Sequence, residues 1–388
     1  MSRKTKTCLI VLLAFLVSTG SKVNADFTFA EPTNLGPIIN SSAWDSSPCI
    51  SSDGLEFYFC SERSGGSIDG DLWVSRRPTV SDSWGEPANL GQTVNSSLYD
   101  WKPCISTDGL TLYFSSDRPG GYGGYSDIWV TTRVTKDDPW GEPVNLGPTI
   151  NSSLYEGHPS ISTDGLTLYF SSDLPGGFGS DDIWMSTRQT IEDEWEVPIN
   201  LGPLVNSTRM DGWMDVSSDN RVLFFSSNRS GNWDIWMTTR KTTEEDWEEP
   251  VNLGPPVNMS AAEYGSSISS DCLTLYFQST RSGGYGSRDL WQVEITPIID
   301  FNCDGLVDTE DLLILINNWD TDESLCDIAP MPWGDGVVDI EDLKVFIKQW
   351  EQENIPEIPE ESPMAQLKLY DTEVHILYNN IADFNGRR

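Results

Sequence analysis

The chain has 388 residues and carries 60 Asp+Glu against 24 Lys+Arg, a formal net charge of −36. That excess argues against nucleic acid and anionic membrane as partners and suits divalent cations. With 38% hydrophobic residues and 16 Trp, the acidity belongs to a folded protein and not to a disordered one.

Residues 1–25 have the layout of a secretory signal. Arg3, Lys4 and Lys6 precede the apolar run 8–17, and Val23-Asn24-Ala25 fits a small-residue cleavage site. The run is too short to span a bilayer. Cys8 lies inside it and not just after it, which speaks against a lipid-anchoring cysteine. Cleavage after Ala25 removes four Lys/Arg and no acid, so the mature net charge is −40. Six cysteines remain, at 49, 60, 104, 272, 303 and 326. Cys49 and Cys104 are equivalents in neighbouring repeats, at a spacing unfavourable for a bridge. Cys303 and Cys326 are the expected pair.

From residue 27 to 295 the chain repeats. Asn-Leu-Gly recurs at Asn34, Asn89, Asn145, Asn200 and Asn252, and Asp-Ile/Leu-Trp recurs with Trp73, Trp129, Trp184, Trp236 and Trp291, every 52 to 56 residues. Repeats of this length bury a core only by stacking on their neighbours. Within a copy the period is two: Leu166, Leu168 and Phe170 point one way, Thr167 and Tyr169 the other. Asp164-Gly165 and Pro175-Gly176-Gly177 mark the flanking turns. Four strands are expected per copy, at 159–162, 166–171, 182–187 and 195–201, which describes a β-propeller blade. Five inner sets begin near Pro48, Pro103, Pro159, Trp213 and Ser266. Five outer strands begin near Phe27, Trp84, Trp140, Trp195 and Trp247, the first of them ahead of any inner set. Residues 27–35 are therefore expected to complete the last blade and close a five-bladed, all-β ring spanning residues 26–296.

The repeat unit, STDGLTLYFSSDRPGGYGGYSDIWV at 106–130, resembles the TolB-type, WD40-like propeller family. Its signature is a Ser-x-Asp-Gly turn, an apolar strand, a Ser-Ser-x-Arg loop and Asp-Ile-Trp. The resemblance implies the fold and says little about activity, since propellers host many.

One acid stands in every copy just ahead of the inner set: Asp45, Asp100, Glu156, Asp211 and Glu263. The same rim carries glycine-rich loops with Arg63, Arg118, Arg229 and Arg281. Two readings stay open. Each acid caps its own loop, or the five face a common axial mouth, where a cation, water or the arginines must offset their repulsion. The Asp of each Asp-Ile/Leu-Trp reads as structural. Residues that break the fivefold pattern, Trp101, Trp213, Tyr264 and His158, are candidates for a ligand surface, because apolar ring faces suit the C–H faces of sugars.

From Asp300 the period changes. DFNCDGLVDTEDLLILINNW reads as a calcium loop running into an amphipathic helix, with Asp300, Asn302, Asp304, the Leu306 carbonyl, Asp308 and Asp311 at ligand positions. A second copy, GDGVVDIEDLKVFIKQW, supplies Asp335, Asp339 and Asp342. Its first ligand positions hold Met331 and Trp333, and Asp327 is the available substitute. The duplication resembles a dockerin module at 300–351, which implies bound Ca2+ and a cohesin-like scaffold partner. The Pro/Glu-rich segment 352–388 reads as linker and tail.

Two functions follow as expectations. The first is a secreted, non-enzymatic protein whose propeller recognises a polysaccharide or glycoprotein and whose dockerin-like module attaches it to a scaffold or cell surface. The alternative is a glycoside hydrolase, which needs two or three non-equivalent carboxylates at set separations. A Ser-His-Asp or Cys-His set has no support with a single histidine, His158, in the repeats.

Overall fold

The computed structural model describes residues 27–354 except 68, 124, 298, 300, 302–306, 308, 322–325, 330–333, 335 and 336. Five antiparallel sheets form the ring. Blade 1 comprises Asp45–Ile50, Glu56–Ser61, Asp71–Arg76 and Ala88–Asn89. Blade 2 comprises Asp100–Ile105, Thr111–Ser116, Asp127–Thr132 and Val144–Asn145. Blade 3 comprises Glu156–Ile161, Thr167–Ser172, Asp182–Thr187 and Ile199–Asn200. Blade 4 comprises Asp211–Val216, Val222–Ser227, Asp234–Thr239 and Val251–Asn252.

Blade 5 closes the ring. Glu263–Ile268, Thr274–Ser279 and Asp289–Pro297 come from the end of the repeats, and the N-terminus supplies Phe27–Phe29 and Thr33–Asn34. Phe29 pairs with Ile295 and Asn34 with Trp291, so the last long strand has no open edge there.

The period-two pattern has a two-sided purpose. Leu168 and Phe170 pack into one core with Cys104, Tyr113 and Ile128 of blade 2. Tyr169, on the opposite face, packs with Met214, Leu223 and Phe225 of blade 4. Each blade is thus buried on both faces, and a repeat excised from the ring would expose two apolar sheets to water.

Two strand boundaries differ from the expected ones. The outer strands are two residues long, because the proline at 87, 143, 198 or 250 removes a ladder donor. The preceding Trp140, Trp195 and Trp247 are instead buried in the interblade cores. The inner strands begin two or three residues earlier than expected, at the acid itself, and are interrupted by a bulge. Register slips between Ser46 and Cys49, Trp101 and Cys104, Gly157 and Ser160, Gly212 and Asp215, and Tyr264 and Ser267. The residue two past the acid, Ser47, Lys102, His158, Trp213 or Gly265, takes a left-handed φ of 46° to 63°.

Past the bulge a hydrogen-bonded circuit runs around the axis. Cys49 Sγ accepts the Ile105 N–H, Cys104 Sγ that of Ile161, Ser160 Oγ that of Val216, Asp215 Oδ2 that of Ile268, and Ser267 Oγ that of Ile50. Each bond joins one blade to the next, and the fifth returns to the first. Cys49 and Cys104 are thiols within this circuit.

The repeated Asn and Asp triplets are structural. In blade 3, Asn200 Nδ2 donates to Asp182, while Asn200 Oδ1 accepts from Gly202 N and Asn206 Nδ2. Asn206 in turn exchanges two bonds with the Ile183 backbone. This network ties the short outer strand to the third strand, where two ladder residues alone would not hold it.

Beyond the ring, the helices Thr309–Asn317 and Ile340–Asn354 pack around Phe301, Leu315, Val338, Leu343 and Phe346. Cys326 is buried in this core, and Cys303 lies outside the described residues, as does the expected 303–326 pairing. Among the described residues, no helix is long and apolar enough to cross a membrane.

Candidate functional site

The five repeated acids do not gather at an axial mouth: all are fully buried within their own blades. Asp45 accepts from Ser41 N, Ser41 Oγ and Ser61 Oγ, and pairs with Arg63 at 2.6 Å. Asp100 pairs with Arg118 at 2.6 Å, Asp211 with Arg229 at 2.5 Å and Glu263 with Arg281 at 3.3 Å. Each acid accepts the backbone N–H of the residue four before it, Ser41, Ser96, Ser152, Ser207 or Met259, so of the two open readings the capping one describes the geometry. The shared cluster fails for a physical reason. Strand pairing brings a serine 16 residues away and an arginine 18 residues away onto the same carboxylate, and these absorb its charge locally. Blade 3 is the exception. Leu174 stands where the other blades have arginine, and burial without a cation pushes the Glu156 carboxyl up.

The pattern-breaking residues do meet. Trp101 lies 4.8 Å from His158 edge-on, and His158 lies 3.9 Å from Trp213. Trp213 continues to Trp233 at 4.9 Å and to Tyr264 at 5.8 Å. At the other end Trp101 is 5.2 Å from Tyr99 and 6.3 Å from Tyr155. Arg288 bridges the remaining gap, its guanidinium 4.7 Å from the Tyr264 ring and 4.3 Å from that of Trp44. The result is an arc of rings carried by all five blades. Trp101 and Trp213 are partly exposed, whereas His158 is buried beneath them and accepts or donates to Tyr155 Oη and Ser171 Oγ. Burial, with Lys102 adding to it, holds the His158 imidazole well below its usual range, so it is neutral at pH 7.

Lys102 sits below the arc. It is buried, and its ammonium crosses from blade 2 to donate to the Ser266 carbonyl in blade 5 at 3.4 Å. It stabilises the charge of Asp215, whose carboxyl burial pushes up. Lys102 therefore links two non-adjacent blades beside the interblade circuit and places a charge near both Asp215 and His158.

Non-equivalent carboxylates flank the arc, and sequence reasoning missed them. Burial, reinforced by Asp100 and Asp69, pushes Asp117 up to about 6. Burial, reinforced by Asp173 and Asp182, pushes Asp181 up to about 6. Glu62 is also raised, by burial first. Glu62, Asp117 and Asp173 share a column that reads Asn228 and Thr280 in blades 4 and 5. That break in the repeat was the signal for Glu62 and Asp117. Tyr99 and Tyr155 carried a similar one, as aromatics immediately ahead of the repeated acid.

Of the calcium-ligand candidates, Asp300, Asn302, Asp304, Leu306, Asp308 and Asp335 lie outside the described residues. Asp311 and Asp342 are buried at matching places in the two halves. Asp311 accepts the Phe301 N–H, and Asp342 accepts those of Ile328, Ala329 and Asp339. Asp339 accepts the Glu341 N–H at the helix start, and Asp327 is buried nearby. Among the described residues no three acid, His or Cys side chains converge on one point. The donor chemistry, oxygen throughout, fits a hard cation such as calcium. Bound there, it would supply charge that ties each loop to its helix.

No known protein family matches the sequence, and no curated protein is detectably similar to it. Among solved structures the chain is similar to TolB from Acinetobacter baumannii, with 13% identity over 67% of this chain and 56% of that one (TM-score 0.42). It is similar to an α-L-arabinofuranosidase from Lactobacillus brevis, with 13% identity over 68% and 93% (TM-score 0.48). It is also similar to a family 117 glycoside hydrolase from Zobellia galactanivorans, with 12% identity over 70% and 90% (TM-score 0.45). The chain thus spans little more than half the length of the Acinetobacter TolB. At such identities the likeness is one of fold, and the five-bladed ring stands on its own strand pairing.

Proposed function

We propose that this is a secreted recognition protein whose propeller binds a saccharide on the aromatic arc. In this reading the C-terminal helical module is a calcium-dependent dockerin-like anchor for a cohesin-like scaffold, in a polysaccharide-processing setting. The carrying observation is the run of rings from Tyr99 through Trp101, His158 and Trp213 to Tyr264. Blade repetition cannot explain it, because these positions differ from blade to blade. Ring faces supply stacking area for sugar C–H surfaces, and the flanking carboxylates and Arg288 supply hydrogen bonds to hydroxyls. The test is a glycan array on the full chain, with and without calcium, followed by titration of hits with Trp101→Ala and Trp213→Ala. Each substitution is expected to weaken binding by about 1 to 3 kcal/mol, the size of a base–aromatic stack. Unchanged affinity in both variants would sink the reading.

The glycoside hydrolase alternative rests on a different observation. Glu62, Asp117 and Asp181 are non-equivalent carboxylates with raised pKa values beside the same arc, and a proton donor at neutral pH needs such a shift. Turnover of aryl glycosides that Asp117→Asn or Asp181→Asn abolishes would favour it over binding alone.

A further inference from the structure

The ring contains its own comparison set: five copies of one local site, four of which agree. In blade 1, Arg63 Nη2 donates both to Asp45 and to the Ile39 carbonyl. Arg118 does the same with Asp100 and Val94, at 2.6 and 2.5 Å. Arg229 does so with Asp211 and Val205, at 2.5 Å each. Arg281 joins Glu263 and Val257. One guanidinium nitrogen thus lies between a buried carboxylate and a backbone carbonyl in four of the blades.

Blade 3 keeps both acceptors and lacks the donor. Glu156 is fully buried and, among the described residues, receives only neutral donors, from Ser152 N, Ser152 Oγ and Ser172 Oγ. Ile150, the counterpart of Ile39 and Val94, is buried as well, and its carbonyl accepts no hydrogen bond among the described residues. Leu174 supplies the apolar stem of the absent arginine, packing with Phe170 and Trp184, but not its head. The surroundings have adjusted to this. Trp184 Nε1 donates to the Ser172 carbonyl at 3.2 Å, whereas the equivalent indole nitrogens of Trp73, Trp129, Trp236 and Trp291 have no partner among the described residues. By correspondence with the other blades, the Glu156 carboxylate and the Ile150 carbonyl stand where a guanidinium nitrogen is held elsewhere, and burying two such acceptors without a charged donor is costly.

We infer that blade 3 binds a hard metal cation between the Glu156 carboxylate, the Ile150 carbonyl and the Ser172 hydroxyl, where the other blades hold a guanidinium nitrogen. The size fits. In blades 2 and 4, whose acid is Asp, that nitrogen lies 2.5 to 2.6 Å from both oxygens. In blade 5, whose acid is Glu, it lies 2.5 Å from the carbonyl and 3.3 Å from the carboxylate. Calcium takes oxygen ligands at about 2.3 to 2.6 Å. The donors fit too, being a carboxylate, a carbonyl and a hydroxyl with no nitrogen or sulfur among them. Access is open, since the four arginine side chains at this place are 11 to 16% exposed. Water would complete the coordination.

The experiment compares the full chain with Leu174→Arg, which supplies the head that the other blades have, and with Glu156→Gln. Melting midpoints are measured in choline chloride, sodium chloride and calcium chloride at equal ionic strength. Calcium taken up by the C-terminal module raises all three proteins alike, so the difference between them reports blade 3. The wild type is expected to gain several degrees in one of the metal salts beyond the gain of either variant, and Leu174→Arg to start higher in choline. Crystals soaked in terbium or rubidium should show an anomalous peak beside Glu156, terbium marking a calcium-like site and rubidium an alkali one. Equal responses in all three proteins, or anomalous peaks confined to the C-terminal loops, would overturn the inference. So would a protonated Glu156 bonded directly to the Ile150 carbonyl at high resolution.

Discussion

Arg118 and Leu174 stand at the same place in consecutive blades, and the contrast shows how much one side chain decides. Removing a partner from a buried ion pair leaves a charge without compensation. Arg118→Met is therefore expected to cost about 3 to 5 kcal/mol, because Asp100 would be left buried without its cation. Glu156→Gln, in the blade that never had the arginine, is expected to cost under about 1 kcal/mol in choline chloride, where no metal cation is supplied, which urea unfolding of the two variants in that salt would check. The carboxylates of the arc carry a pH signature of their own. Asp117 and Asp181 have folded-state values of about 6, above the ordinary 3.8. Folding thus favours their protonated forms, and the stability they contribute is present below about pH 4 and lost as pH rises through 6. Asp53 works in the opposite direction. Hydrogen bonds from Lys136 and Ser51 outweigh its burial and hold it at about 2, so its contribution is present above about pH 4 and lost on further acidification. Melting curves from pH 4 to 7 should fall less steeply in an Asp117→Asn, Asp181→Asn double variant. An unchanged slope would mean that other groups set the profile.

At the scale of the element, the inner strand is the unit that makes this ring more than a stack of sheets. Its bulge places one residue per blade at a left-handed φ, at a cost of roughly 1 to 2 kcal/mol for a non-glycine. Blade 5 meets this with Gly265, and the other blades use Ser47, Lys102, His158 and Trp213. The strain is accepted where the side chain is needed on the axis. Ser47 has no such evident need, so Ser47→Gly is expected to leave stability unchanged or raise it by up to about 1 kcal/mol. The reverse change, Gly265→Ala, is expected to destabilise by about 1 to 2 kcal/mol. Its new Cβ would both take φ +63° and stand 3.0 Å from Gln278. Shifts of the urea midpoint in opposite directions would confirm that the bulge conformation sets the cost.

At the scale of the whole molecule, the N-terminal segment acts on a strand more than 250 residues away. Phe27–Phe29 and Thr33–Asn34 cover the edge of Asp289–Pro297, and Asn34 also donates to Asp289. Deleting residues 27–34 should leave an unpaired edge and part of an interblade core exposed. Light scattering is expected to show self-association, with a lowered melting midpoint. A deletion variant that stays monomeric and melts unchanged would mean the axial circuit alone holds the ring shut. That circuit is the other long-range device. Five side chains each capture a backbone N–H of the next blade, and the fifth bond, from Ile50 N to Ser267 Oγ, joins the first blade to the last.

The sequence by itself determined the fold: the period of two, the turn residues, the 52 to 56 residue spacing, the count of five and the displaced outer strand all survive in the structure. These are local or repeat-phase properties, and a chain of near-identical units has few other ways to bury both faces of each sheet. The strand limits were less legible, because the proline of the outer strand and the bulge of the inner one act through pairing and not through periodicity. The site was legible only in fragments. Trp101, His158 and Trp213 announced themselves by breaking the repeat, but whether they touch depended on the bulge that turns them toward the axis. The repeated acids looked like a shared cluster because a sequence shows columns and not partners. Only tertiary structure decided that Ser61 and Arg63 reach Asp45, that Lys102 crosses to Ser266, and that a leucine at 174 leaves Glu156 with serine donors alone. Each of these depends on residues 16 to 164 positions apart being brought within hydrogen-bond reach, and strand pairing and ring closure fix that geometry.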